Sequence, residues 1–252
     1  MKKARTRVLL GMALAFTMIL TVSSAWAMTG DEVLKKSEDA MNAPQDREAD
    51  LTMTLVDKDG KKKERTLKIF QKGEDLRLIR FLAPADVEGV GFLVLSDEEM
   101  YLYMPAFGKV RRIASHVKNE NFMGTDFTYD DMASTTYTED YSAEIVEEDD
   151  TFYVLDCTPR PDSDVDYFKV KMWINKTTFM PEKVEFYKKG MKLLKVMKNS
   201  EIEQVDGYWT PKHVEMEDVI DNHKTIMEMK SIKHDQGLKD SYFSQRQLKR
   251  AR

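Results

Sequence analysis

Apolar and polar residues alternate with a period of two in run after run between Ala49 and His234, and that alternation commits the chain to β-sheet. Leu51, Met53 and Leu55 alternate with Thr52, Thr54 and Val56. Asp57-Lys58-Asp59-Gly60 then turns the chain into residues 65–71, which makes a hairpin. Further strands are expected at 75–82, 91–96, 100–104 and 109–113, and again at 142–147, 151–158, 166–175, 181–188, 191–204, 208–220 and 223–234. Turn residues part them at Lys72-Gly73, Phe107-Gly108, Lys189-Gly190, Asp206-Gly207 and Asp221-Asn222. Links this short join antiparallel neighbours, and without crossover helices the strands must form a single large, strongly curved antiparallel sheet. The expected fold class is mainly β (α+β).

Such a sheet needs cover, because several strands carry one clean apolar face. Phe168, Val170, Met172 and Ile174 oppose Lys169, Lys171 and Trp173, and Met100, Leu102 and Met104 oppose Tyr101 and Tyr103. Two segments are available. Thr29 and Glu32 form a capping box for a helix running to about Asn42, with Val33, Leu34, Ser37, Ala40 and Met41 on one face and Pro44 ending it. Residues 114–140 break the alternation and suggest a long loop containing a helical turn, a kind of segment that commonly carries function. With no other cover in sight, the lid over the sheet should be partial or movable. A short helix is expected at the C-terminus.

The N-terminus points to secretion. Lys2, Lys3, Arg5 and Arg7 precede an apolar run from Val8 to Val22, and Ala25-Trp26-Ala27 offers small residues for cleavage. Residues 1–27 are therefore expected to be a cleaved signal peptide and residues 28–252 a single domain; an uncleaved membrane anchor is the alternative. Loss of the leader's four basic residues takes the net charge from −5 to −9. An acidic chain has no counterion release to gain from nucleic acid, and the same argument holds against anionic membrane surfaces as bulk partners. The lone Cys157 alternates with Tyr153 and Leu155, as a buried structural thiol would. Fourteen of the 17 methionines lie beyond the leader, which fits either an adaptable apolar surface or a Met-rich core.

A search for catalytic chemistry finds little. His116, His213, His223 and His234 have no zinc-binding spacing, and no GxSxG, P-loop or GxGxxG motif is present. Asp57–Gly60 begins like a calcium loop but lacks its terminal Glu, so no metal site and no cofactor are expected. Asp126, Asp130 and Asp131, together with Glu147–Asp150, could serve acid–base chemistry, yet nothing in the sequence orients them and solvated loop acids are the simpler reading. No enzymatic activity is expected.

Gly89-Val90-Gly91-Phe92, Met100–Pro105, Lys109–Ile113 and Met123-Gly124-Thr125-Asp126-Phe127, with the leader, the N-terminal helix and the strand series, resemble the LolA-like family of outer-membrane lipoprotein-sorting proteins. The likeness covers nearly all of the chain beyond the leader and is most specific around Met123–Met132. It implies an unclosed half-barrel around an apolar cavity, helices as the lid, and a Gram-negative periplasm. It further implies a monomeric carrier of lipid or lipoprotein acyl chains, with an inner-membrane transporter as donor and an outer-membrane acceptor. A periplasmic lipid sensor or adaptor that binds a membrane or signalling partner is the alternative on the same fold.

The residues expected to line such a cavity are Leu51, Met53, Leu55, Leu67, Ile69, Phe92, Met100, Leu102, Met104, Phe168, Val170, Met172 and Ile174, with Phe122, Met123, Phe127 and Met132 as lid contacts. Each could equally be filled core.

Overall fold

The computed structural model describes residues 28–133, 136–163 and 165–250; the leader expected over residues 1–27 lies outside them. The helix α1 (Gly30–Met41) starts at the expected capping box, with Thr29 accepting from the Glu32 amide while Glu32 accepts from the Thr29 amide. Its buried face is Val33, Leu34, Ser37 and Glu38 rather than one reaching Ala40 and Met41. Gly30 sits where the helix meets the sheet: a Cβ there would stand 2.2 Å from the Ala143 carbonyl oxygen.

Six strands follow: β1 (Asp46–Val56), β2 (Lys62–Lys72), β3 (Leu76–Ala83), β4 (Gly91–Ser96), β5 (Glu99–Met104) and β6 (Lys109–Arg112). After the long connection come β7 (Tyr141–Glu148), β8 (Phe152–Pro159), β9 (Lys169–Asn175), β10 (Pro181–Lys188), β11 (Lys192–Val205), β12 (Tyr208–Asp218) and β13 (His223–His234). They form one antiparallel sheet in the order β6-β5-β4-β3-β2-β1-β13-β12-β11-β10-β9-β8-β7. The chain thus starts mid-sheet, zips outward to the β6 edge, crosses to the far β7 edge and zips back until β13 pairs with β1. β6 and β7 do not pair, so the half-barrel is unclosed. Between these two edges, residues 113–133 and 136–140 lie across the concave side, where the short helix α2 (Tyr129–Ala133) sits.

The inner core joins the concave faces of the strands to Val33 and Leu34 of α1 and to Phe122, Phe127, Tyr129 and Met132 of the bridging segment. Cys157 is wholly buried in it, and burial pushes its thiol up to about 12, out of reach of nucleophilic chemistry. A second core, which the strand pattern alone did not suggest, lies on the convex side. There Phe70, Leu78 and Leu93 are covered by Leu238, Phe243 and Leu248 of the C-terminal segment, which ends in α3 (Gln245–Leu248). Tyr101 and Tyr103 pack against this second core, so the face opposite Met100 and Leu102 is also covered.

One strand begins later than expected. Residues 166–168 do not join β9; Tyr167 takes the inward position against Phe186, 4.6 Å between ring centres, and Phe168 is 51% exposed beside Thr158, Pro159 and Lys189. Phe168 was expected in the cavity wall on the parity of Val170. The pleat breaks before Lys169, and parity does not carry across the break.

Candidate functional site: a lid between two hollows

The bridging segment is shaped by local hydrogen bonds within its own chain. Phe122 and Phe127 close a tight loop, with the Phe122 amide donating to the Phe127 carbonyl at 2.7 Å, while Met123 and Gly124 adopt positive φ of 52° and 75°. Glycine tolerates that backbone, but methionine is strained in it. Thr128 and Asp131 then cap α2 reciprocally: the Thr128 amide donates to Asp131 Oδ2 at 2.8 Å and the Asp131 amide to Thr128 Oγ1 at 2.9 Å.

This lid reaches the floor of the half-barrel. Phe122 packs at a tilt against Phe92 and edge-to-face with Tyr129, at 5.1 and 5.2 Å between ring centres. Polar anchors hold it there. Arg65 of β2 donates to the Met123 carbonyl at 2.8 Å, and Arg77 of β3 donates to the Met132 carbonyl at 2.7 Å. Asp126, only 2% exposed, lies against His223 Nδ1 at 2.9 Å and accepts the Thr225 hydroxyl at 2.7 Å, while its own amide donates to Thr225 Oγ1. Thr225 gives its proton to the carboxylate and not to His223, so these three residues form a clamp and not a nucleophile–base pair.

Contrary to the sequence reading, Asp126 is buried and Asp130 and Asp131 are half-buried. Burial lifts the Asp130 carboxyl to about 6, with Asp131 next to it adding repulsion. Asp131 accepts from the Tyr167 hydroxyl at 3.0 Å and lies 3.7 Å from the buried Lys195 ammonium. Among the described residues, no group of three His, Cys, Asp or Glu is placed to hold a metal ion.

Space remains on both sides of the lid. A hollow of about 190 Å³ lies between it and strands β1–β3, β12 and β13, bounded by apolar residues such as Ala49, Ile79 and Met229 and by Arg47, Gln71 and Arg77. A smaller one, about 80 Å³, lies toward β7 and β10–β12, against Tyr141, Tyr167, Phe186, Met197 and Met216. Phe127 and Asp131 border both, so the lid divides one concavity in two.

A family model described as "Uncharacterized protein" matches residues 73–250. No curated protein matches the chain. Among solved structures, the chain is similar to a domain from Vibrio parahaemolyticus described as outer membrane lipoprotein-sorting, at 27% identity and a TM-score of 0.81, covering 88% of this chain and 98% of that one. A DUF1329 family protein from Desulfovibrio piger matches at 27% identity and 0.82, over 87% and 97%. The chain belongs to the LolA-like family. A LolA superfamily protein from Nitrosomonas europaea shares the fold at 22% identity and a TM-score of 0.73, over 88% of this chain and all of that one.

In this LolA-like protein the expected lining residues divide three ways. Ile69, Phe127 and Met132 border the larger hollow. Leu51, Met53, Leu55, Leu67, Phe92, Met100, Leu102, Phe122, Val170, Met172 and Ile174 are buried in the inner core, with Met104 and Met123 packed against it. Phe168 is outside. Arg47, Arg77, His223 and Thr225 were missed. For the arginines a signal existed: Arg47 shares the inward parity of Ala49 and Leu51, and Arg77 that of Ile79 and Phe81, so each is a cation written into an apolar face.

Proposed function

We propose that this protein is a periplasmic carrier that takes the acyl chains of a lipid or lipoprotein out of water under its lid and delivers them toward the outer membrane, with no chemical step. It would act as a monomer between an inner-membrane transporter and an outer-membrane acceptor. The observation that carries this reading is the lid itself: a segment of short helices, held through polar anchors, that plugs an apolar concavity and leaves hollows on both sides.

The larger hollow, at about 190 Å³, is the size of a cavity that holds a benzene-sized guest, so a full acyl chain must displace the lid's own side chains. The energies allow that exchange. At roughly 2 kcal/mol per buried side chain, Phe122, Phe127, Tyr129 and Met132 together contribute on the order of 8 kcal/mol. A sixteen-carbon chain transferred from water contributes about 12 kcal/mol at roughly 0.8 per CH₂. These are similar, so cargo can enter and leave without an external energy source at the site. Methionines 132, 216, 227 and 229 border the hollows and can reshape to different chains.

The test is mass spectrometry of organic extracts from protein purified out of its own envelope, paired with titration of the delipidated protein by a fluorescent acyl probe. Co-purifying acyl lipid and saturable probe binding are expected. Protein that carries no lipid and binds no probe overturns the proposal, and a stable protein partner captured without lipid favours the sensor or adaptor instead.

A further inference from the structure

A polar rung crosses four adjacent strands at one end of the larger hollow. By register His234 of β13 pairs with Arg47 of β1, Arg47 with Gln71 of β2, and Gln71 with Arg77 of β3. All belong to the inward face. Arg77 is 6% exposed, and it and Arg47 both border the hollow.

Two guanidiniums that border one largely apolar hollow call for an anion, yet among the described residues neither has a carboxylate partner. Arg47 donates to the Met41 carbonyl at 3.1 Å and its Nε is buried without a partner; Arg77 donates to the Met132 carbonyl. Each guanidinium has five donors. Asp131, the carboxylate bordering this hollow among the described residues, turns to the Thr128 amide, Tyr167 and Lys195. Burial and the neighbouring Arg47 lower Arg77 to about 10, which leaves it charged at neutral pH.

We propose that Arg47 and Arg77 receive the oxyanion of an amphiphile, a carboxylate or phosphate head, whose tail lies along Ile69, Ile79, Met227 and Ile232. This rests on the carrier reading and narrows its cargo. The Met132 carbonyl belongs to the lid, so lifting the lid removes the acceptor of Arg77 and leaves a cation that a head group can satisfy at once. An acyl chain in ester or amide linkage brings no charge to that place. The net negative charge of the chain draws no anion from solution, so recognition depends on the tail entering first.

Calorimetric titration of the delipidated protein with palmitate, hexadecanol, palmitate methyl ester and inorganic phosphate tests this. Palmitate is expected to bind at least about tenfold more tightly than either neutral amphiphile, as a buried charge-assisted pair requires. Arg47→Gln with Arg77→Gln should bring palmitate to the level of hexadecanol, and Arg77→Lys should recover part of the difference. Phosphate alone should bind far more weakly than palmitate. Equal binding of palmitate and the neutral amphiphiles overturns the anion site while leaving the carrier intact, and it is read on wild-type protein, whether or not the variants fold. Phosphate binding as tight as palmitate overturns the amphiphile assignment. Failure of every amphiphile to bind overturns the carrier reading and this inference together.

Discussion

The sheet has two covers, and they are built differently. On the convex side Leu248 lies directly over Gly91, so closely that a Cβ on that glycine would stand 2.7 Å from Leu248 Cδ1, and Phe243 and Leu238 complete an apolar seal. On the concave side the lid touches the sheet through Phe122 and its polar anchors but is flanked by hollows, with a strained Met123 backbone and buried ionisable groups at its anchors. Both covers bury phenylalanine. Only one leaves room for something else, and a cover that fits without gaps gives a guest no foothold.

The largest effect that can break this comparison comes from the lid's central ring. Phe122→Ala should lower stability by about 3–5 kcal/mol in urea denaturation and enlarge the space under the lid. Acyl-probe affinity should rise if enough folded protein remains; unchanged affinity would detach the lid from binding. Leu248→Ala should cost about 2–4 kcal/mol and leave probe affinity as in wild type, because the convex seal borders neither hollow. A change in affinity there would erase the distinction between the covers.

A smaller effect follows from Asp130. Its carboxyl lies at about 6 in the folded protein against 3.8 ordinarily, so the folded chain holds the proton more tightly than the unfolded one. This contribution is absent below pH 4, weakens the fold as pH rises to 6, and is complete above that. Asp130→Asn should therefore gain about 1–2 kcal/mol at pH 7, discounted for partial exposure, and nothing at pH 4, as the difference between wild-type and variant melting across that range would show. The smallest effect is expected at the C-terminal segment's surface pair. Lys72 and Asp240, 2.5 Å apart in solvent, are screened by water and should add nothing measurable to stability, so Lys72→Ala leaves the convex cover in place. A larger loss on thermal unfolding would mean that charge and not apolar fit holds that cover.

Much of the fold could be read in the chain. Every expected strand has its counterpart, because alternation and turn residues are local and each strand declares its own period. The α1 capping box was legible for the same reason. The convex core was not: Tyr101 and Tyr103 look like a solvent face until Phe243 and Leu248, more than a hundred residues away, fold over it. The lid's position was legible in outline, since residues 114–140 break the strand rhythm, but its anchors were not. Asp126 meets His223 across 97 residues, and no spacing rule joins them. Phe168 misled because period two holds only within an unbroken strand.

By itself the sequence determined which residues form strands, where the chain turns, and which segment was free to serve as a lid, because these follow from backbone preferences and side-chain period over a few residues. Tertiary structure alone decided which apolar faces were sealed and which stayed hollow. It also set Arg47 and Arg77 on one hollow, cations on separate strands whose alignment depends on the register of β1, β2 and β3. Register and packing are sums over distant contacts, and no single stretch of chain contains them.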